Sequence, residues 1–270
     1  MPELPEVETV RRGLESVLGP QPAIAQARRN RPDLRIPIPR TLPARLAGQP
    51  IIAIERRAKL LLWRIGTGTL INHLGMTGSW RIREGQAAKH DHFELTLTDD
   101  RVLVYADPRR FGLITWTDED PHQHPLLGGL GPEPLSDDFD VACLAEACRG
   151  RKAAIKQVIM SNAVVVGVGN IYAAESLFRA GIDPRRPAGR ISRERLAKLV
   201  TAIKTVLAAA IEAGGSTIRD FRQAGGSSGY FQHDFRVYGR AGEACRSCGA
   251  TLKGAVIGQR ASTWCPRCQR

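Results

Sequence analysis

The sequence lacks any apolar run long enough to cross a bilayer: its longest stretches, such as Val206-Leu207-Ala208-Ala209-Ala210-Ile211, fall far below the roughly 20 residues a membrane helix needs. It also lacks a leader-like start, because Glu3, Glu6 and Glu8 occupy the positions where a basic segment and an apolar core would lie. No internal repeat or long low-complexity tract is present, which excludes solenoids and extended linkers. Acidic residues are scarce against basic ones, 27 to 39, for a net charge of +12. Such an excess favours a polyanionic partner, nucleic acid ahead of an anionic membrane surface. The expectation is a soluble cytoplasmic protein. With 43% hydrophobic residues over 270 positions, the chain can build two domains of ordinary size and a small module.

Cysteine is sparse too, and four of the six fall as Cys245-x2-Cys248 and Cys265-x2-Cys268. Two such knuckles complete a closed tetrahedral site for one structural Zn2+. Cys143 and Cys148 instead follow a helical pattern and read as buried free thiols.

Val7, Val10, Leu14, Val17 and Leu18 repeat at helical spacing after Pro5, predicting an amphipathic helix beside the N-terminus. From Ile51 to Trp116 short β-rich runs follow, at 51–54, 60–65, 69–73, 93–97, 102–105 and 112–116, separated by turn residues. Their spacing predicts an antiparallel sandwich or barrel. Gly128-Gly129-Leu130-Gly131-Pro132-Glu133-Pro134 reads as a linker, and beyond Ser136 the pattern turns helical, with Leu196, Leu199, Val200, Ile203, Val206, Leu207, Ala210 and Ile211 on one face. Gly225-Gly226-Ser227-Ser228-Gly229 reads as a loop before the cysteine module.

Loss of Met1 would expose Pro2 as a secondary amine, and an N-terminal amine titrates near pH ~8, so part of it is an unprotonated nucleophile at neutral pH. Attack on C1′ of a deoxyribose gives an iminium, an electron sink for strand cleavage, with Glu3 beside it as proton donor or acceptor. Met-Pro is equally a common start, and Glu3 equally a solvated acid. Arg260 sits near the tip of a hairpin predicted over 252–264 and either touches DNA or is a surface charge on a supporting ribbon. Gly167-Val168-Gly169-Asn170 opens a helix near Ile171, a place where backbone amides bind phosphate or simply make a tight connection. Arg151, Lys152 and Lys156 offer cations on a neighbouring helix. Met76 in Asn72-His73-Leu74-Gly75-Met76-Thr77-Gly78 and Phe111 in Asp107-Pro108-Arg109-Arg110-Phe111-Gly112 suit wedges that unstack a duplex, or are core residues. His90 and His92 bind phosphate or pair with Asp91, and no third metal ligand lies near them.

Taken in order, the start 2–8, Arg57-Ala58-Lys59, the 73–76 loop, 107–112, 166–172, 229–239 and the cysteine module resemble the bacterial formamidopyrimidine-DNA glycosylase family across nearly the whole chain. The resemblance implies an α+β multidomain fold: an N-terminal β-sandwich with flanking helices over 1–130, a helix-two-turns-helix domain over 131–234 and a zinc finger over 235–270. It implies excision of oxidised purines, 8-oxoguanine and formamidopyrimidines, from damaged double-stranded DNA. A monomeric bacterial enzyme, associated with the nucleoid through its DNA, would do this.

By similarity Pro2 forms the Schiff base and Glu3 protonates the opening sugar. Lys59 assists β-elimination and Arg260 the δ-elimination. Met76, Arg109 and Phe111 fill the gap left by the everted base, a base that must leave the stack before its sugar can be reached. His90, Arg109, Arg151, Lys156 and Asn170 match or fall at DNA-contacting positions. Two positions depart from the pattern: Ser227 stands where some relatives carry a lysine that reads the lesion, and Thr77 where some carry an acid. The rival readings are the endonuclease VIII branch, which prefers oxidised pyrimidines, and a non-enzymatic damage-recognition protein that would leave Pro2, Glu3 and Lys59 without a role.

Overall fold

In a computed structural model, residues 2–216 and 235–270 are described; the loop at 225–229, with Ser227, lies outside the described residues. They form two compact units, 2–128 with 214–216, and 129–213 with 235–270. The cysteine module therefore belongs to the same unit as the helices.

The first unit opens with α1 (Leu4–Leu18). Its start is fixed by a reciprocal cap: Glu3 N–H donates to Glu6 Oε2 at 2.8 Å, and the Glu3 carboxylate accepts from the Glu6 backbone. Pro5 in the first turn gives up no needed donor there. Leu4, Val7, Val10, Leu14 and Leu18 form the buried face, whereas Val17 lies at its margin.

Eight strands follow: β1 (Ile24–Arg29), β2 (Ile51–Arg57), β3 (Leu60–Ile65), β4 (Gly68–His73), β5 (Ser79–Ile82), β6 (Asp91–Leu97), β7 (Val102–Ala106) and β8 (Leu113–Thr117), with the short helix α2 (Leu42–Leu46) after β1. They make two antiparallel four-stranded sheets, ordered β1-β6-β7-β5 and β2-β3-β4-β8. One core joins both sheets and α1 through Val10, Leu14, Trp63, Leu70, Trp80, Phe93, Leu103 and Ile114, so the architecture is a sandwich flanked by helices. Trp63 of one sheet meets Trp80 of the other with ring centroids 4.9 Å apart, and Trp80 meets Tyr105 at 5.2 Å. Full burial of side chains of this size contributes about 1.5–3 kcal/mol each.

β1 and β5 were not among the predicted runs. Both are edge strands of their sheet, each buries few side chains, and β1 carries a register shift between Ile24 and Gln26. With two buried side chains in β1 and one in the four-residue β5, neither offers the apolar run that made the edge strands β2 and β8 readable.

The second unit contains α3 (Val141–Cys148), α4 (Ile155–Ile159), α5 (Asn170–Arg179) and α6 (Arg193–Glu212), then the hairpin β9 (Lys253–Ile257) and β10 (Arg260–Trp264). Asp140 caps α3 by accepting from Cys143 N–H at 2.8 Å. The face of α6 expected from its periodicity is the buried one. Cys148 is buried and its thiol is pushed up to about 11, mainly by that burial, whereas Cys143 is only half-buried. Glu175 is buried on α5, and its carboxylate accepts the backbone N–H groups of Arg236 (2.9 Å), Val237 (3.0 Å) and Tyr238 (2.8 Å). Burial raises its pKa despite those donors. The chain leading into the finger is thereby tied to α5. Among the described residues no helix is long and apolar enough to cross a membrane.

Candidate functional site

In the first unit Pro2 and Glu3 are buried at the N-terminal end of α1. Beside them Glu6, fully buried, accepts from Ser216 N–H and from Ser216 Oγ, both at 2.9 Å. One carboxylate thus serves the helix cap through one oxygen and holds the segment 214–216 through the other. Lys59 follows Ala58, which has a φ of +55°, in the turn between β2 and β3. The next residue, Leu60, pairs with His73 across the sheet. The pKa of His73 is lowered to about 4, first by burial, then by the positive charges of Lys59 and Arg35, and its Nδ1 accepts the Gly75 N–H at 2.9 Å. A neutral imidazole can take that bond whereas an imidazolium cannot.

The loops carrying Met76 and Phe111 touch through backbone. Gly75 has a φ of +64°, and a Cβ there would lie 2.3 Å from Gly112 N; a Cβ on Gly112 would lie 1.9 Å from Tyr105 Oη. Only glycine fits such an approach. Between the loops, the buried Asp107 carboxylate accepts from Thr77 Oγ1 at 2.5 Å and from Gly112 N–H at 2.8 Å, while Thr77 Oγ1 accepts the Arg109 N–H at 3.2 Å. Arg110 turns the chain with a φ of +58° and donates its N–H to Asp107 O at 3.2 Å.

This bracing presents Phe111 to solvent at 48% exposure, with the Arg109 guanidinium 4.9 Å over its ring. Met76 is half-buried. Phe111 is thus not a core residue, which leaves it available as a wedge. His90 is half-buried; Asp91 is engaged by Arg81 (2.6 Å) and the Ala88 N–H (2.9 Å), and His92 Nε2 lies 2.9 Å from Asp107 O.

In the second unit the expected basic helix takes a different form. Arg151 and Lys152 are exposed in the chain ahead of α4, and Lys156, inside α4, is only 1% exposed. A buried ammonium needs partners, and Lys156 Nζ donates to Ser262 Oγ at 2.6 Å and to Ala261 O at 3.3 Å, on the hairpin. Asn170, the first residue of α5, donates to the same Ala261 oxygen at 3.0 Å. Gly167, with a φ of +78°, makes the turn that brings it there. Arg260 opens β10 exposed, next to Gly258 and Gln259, whose φ values of +54° and +62° define a tight two-residue turn.

The four Sγ atoms of Cys245, Cys248, Cys265 and Cys268 lie within 4.8 Å of one another. Zinc–sulfur bonds of ~2.3 Å in a tetrahedron place sulfurs roughly 3.8 Å apart, so the set fits one structural zinc ion. Four protein sulfurs would fill the coordination of such an ion, as in a structural site that holds a small module together. The adjacent Gln269 fixes the module by accepting Cys265 N–H at 2.8 Å and donating to Ile182 O at 2.9 Å.

Four of these residues were not singled out as functional from the sequence: Glu6, Asp107, Glu175 and Ser262. Glu3-x-x-Glu6 carries the spacing of a capping box and was readable as such. Each of the other three has a partner in a distant segment: Thr77 for Asp107, residues 236–238 for Glu175 and Lys156 for Ser262.

Known proteins match in the same order. Residues 1–114 match the formamidopyrimidine-DNA glycosylase N-terminal domain, 130–222 its helix-two-turns-helix domain, and 242–270 a zinc finger found in this family and in isoleucyl-tRNA synthetases. Formamidopyrimidine-DNA glycosylases of Stutzerimonas stutzeri and Pseudomonas aeruginosa are 57% and 54% identical, with both chains covered in full. The crystal structure of the Thermus thermophilus MutM (Fpg) protein superposes with a TM-score of 0.88 at 38% identity, covering 99% of this chain and 98% of that one. The Lactococcus lactis enzyme, in a complex with DNA containing an abasic site, gives 0.91 at 36%, covering 99% of each. With its sandwich, its helical unit and its four-cysteine finger all matched over full length, the chain belongs to the formamidopyrimidine-DNA glycosylase family.

Proposed function

We propose that this protein is a bifunctional DNA glycosylase and abasic-site lyase of base excision repair, acting as a monomer on 8-oxoguanine and formamidopyrimidines in duplex DNA. The observation that carries the reading is the burial of Pro2 and Glu3 together at the start of α1. The pairing sets the Pro2 nitrogen, once freed as a secondary amine, next in sequence to a carboxyl group that can pass a proton. Once Met1 is removed, the Pro2 nitrogen attacks C1′ and the base leaves, while Glu3 gives a proton to the opening sugar. Lys59 assists loss of the C2′ proton in β-elimination, and Arg260 serves the second, δ-elimination.

Around this chemistry, Phe111, Arg109 and Met76 occupy the gap of the everted base, offsetting an unstacking cost of a few kcal/mol. Exposed Arg151, with His90, Arg109 and Asn170, contacts phosphates. Lys156 contributes through the hairpin it holds. The full-length likeness to enzymes of the formamidopyrimidine name supports the purine branch over the endonuclease VIII branch. A silent damage-binding protein would have no use for the Pro2, Glu3 and Lys59 set.

Borohydride trapping on a duplex with one 8-oxoguanine opposite cytosine, beside an oxidised-pyrimidine duplex, tests this directly. The expected result is a purine-selective adduct that peptide mass mapping places on Pro2, and its loss in Pro2→Gly with DNA binding retained. A pyrimidine-selective adduct would move the protein to the other branch, and binding without an adduct would remove the lyase.

A further inference from the structure

Period-two alternation puts Arg260 and Ser262 on one face of β10, and they differ in exposure: Arg260 is exposed and Ser262 is 3% exposed. The Ser262 hydroxyl accepts from Lys156 Nζ at 2.6 Å and donates its own proton to the Arg260 carbonyl at 3.0 Å. Lys156 and Asn170 both donate to the next carbonyl, Ala261 O. Gln157 supports the turn itself, since a Cβ at Gly258 would lie 2.7 Å from its Nε2. The backbone on both sides of the Arg260–Ala261 peptide is therefore fixed from α4 and α5, two elements remote in sequence from the finger. Through these two bonds Ser262 joins the buried ammonium to residue 260 itself.

We propose that Ser262 is a positioning residue for Arg260: its hydroxyl passes the anchor at Lys156 to the Arg260 backbone and so sets where the guanidinium stands during the second elimination. This rests on the reading of Arg260 given above. In that step a C4′ proton is lost, its electrons move into the conjugated iminium, and the C5′–O bond breaks with its electron pair leaving on the phosphate. A guanidinium at a fixed position stabilises the departing phosphate. The first elimination, at the 3′ side, does not depend on it. Loss of the Ser262 hydroxyl thus changes the partition between products without changing the first cut.

The test uses the zinc-loaded full chain and a labelled duplex with one abasic site. The ratio of β-product, ending in an unsaturated aldehyde, to δ-product, ending in 3′-phosphate, is measured for Ser262→Ala, Ser262→Val, Ser262→Thr and Arg260→Ala. Valine and threonine have nearly the same shape and differ in the hydroxyl, so the pair separates hydrogen bonding from packing. The expected result is a rise in the β:δ ratio of about five-fold for the alanine and valine variants, the factor one lost hydrogen bond is worth. Threonine keeps the native ratio, and the rate of the first cut, the borohydride-trapped fraction and the zinc content stay unchanged. A native ratio in both hydroxyl-free variants, with Arg260→Ala shifted, overturns the role of Ser262. A shift shared by Ser262→Thr overturns it as well, because the position would then respond to size. An unshifted Arg260→Ala instead overturns the reading of Arg260, and the role of Ser262 with it.

Discussion

The loops of the sandwich and the hairpin of the finger both present an exposed side chain, Phe111 in one and Arg260 in the other, but they are braced by opposite charges. Beneath Phe111 lies a buried carboxylate, Asp107, served by neutral donors from Thr77 and Gly112. Beneath Arg260 lies a buried ammonium, Lys156, served by neutral acceptors from Ser262 and Ala261. The sandwich loops also rest on a large apolar core and on glycine contacts between their backbones. The finger has a small cluster around Val237, Leu252 and its cysteines. A module that small is below the size at which burial alone holds a fold, so it needs metal. The same outcome, a rigid tip, is reached by packing in one unit and by coordination plus one buried cation in the other.

Removing the metal breaks the comparison most sharply. Cys245→Ser is expected to lose zinc and unfold the finger, because structural zinc contributes an apparent ~10 kcal/mol or more to such modules. Zinc analysis and DNA affinity should both fall, while denaturation of the sandwich, in a separate compact unit, stays native. Undiminished zinc content would contradict the ligand set.

Asp107→Ala should do the reverse, leaving zinc bound and destabilising the sandwich by roughly 3–5 kcal/mol, since Gly112 N–H and the Thr77 hydroxyl lose a buried partner. Chemical denaturation followed by tryptophan fluorescence reads this through Trp63 and Trp80. An unchanged midpoint would mean the loops stand without the carboxylate.

The smallest effect depends on pH. His73, lowered to about 4 from an ordinary value of 6.5, stays neutral in the fold while the unfolded chain takes up a proton. Its contribution is therefore complete above pH 6.5, declines as pH falls toward 4, and levels off below. Between pH 7 and 4.5 the loss is about 2–3 kcal/mol. His73→Asn, which keeps an acceptor for Gly75 N–H, should show a shallower decline. Parallel stability curves for the two proteins would remove His73 from the acid response.

Much of this was legible beforehand where one segment carries its own signal. α1 and α6 announced themselves through apolar residues at helical spacing, six of the eight sandwich strands through compact β-rich runs, and the finger through paired C-x2-C knuckles. β1 and β5 were not legible, because β1 sets only Ile24 and Ala27 inward among polar residues and β5 is four residues long with one buried side chain, whereas the edge strands β2 and β8 still carry apolar β-branched runs. The basic stretch at 151–156 misled in one respect: a lysine in a sequence reads as surface charge, and nothing local shows that Lys156 turns inward.

By itself, then, the sequence determined the order of the modules, the four cysteines of the metal site and the family, since each depends on residues close together in the chain or on an ordered series of motifs. Only the tertiary structure decided which polar groups stand buried and paired, as with Glu6 and Ser216, 210 residues apart, or Lys156 and Ser262, 106 apart. A buried charge has to be met by groups that only folding brings within hydrogen-bond distance, and no local pattern records which groups those will be.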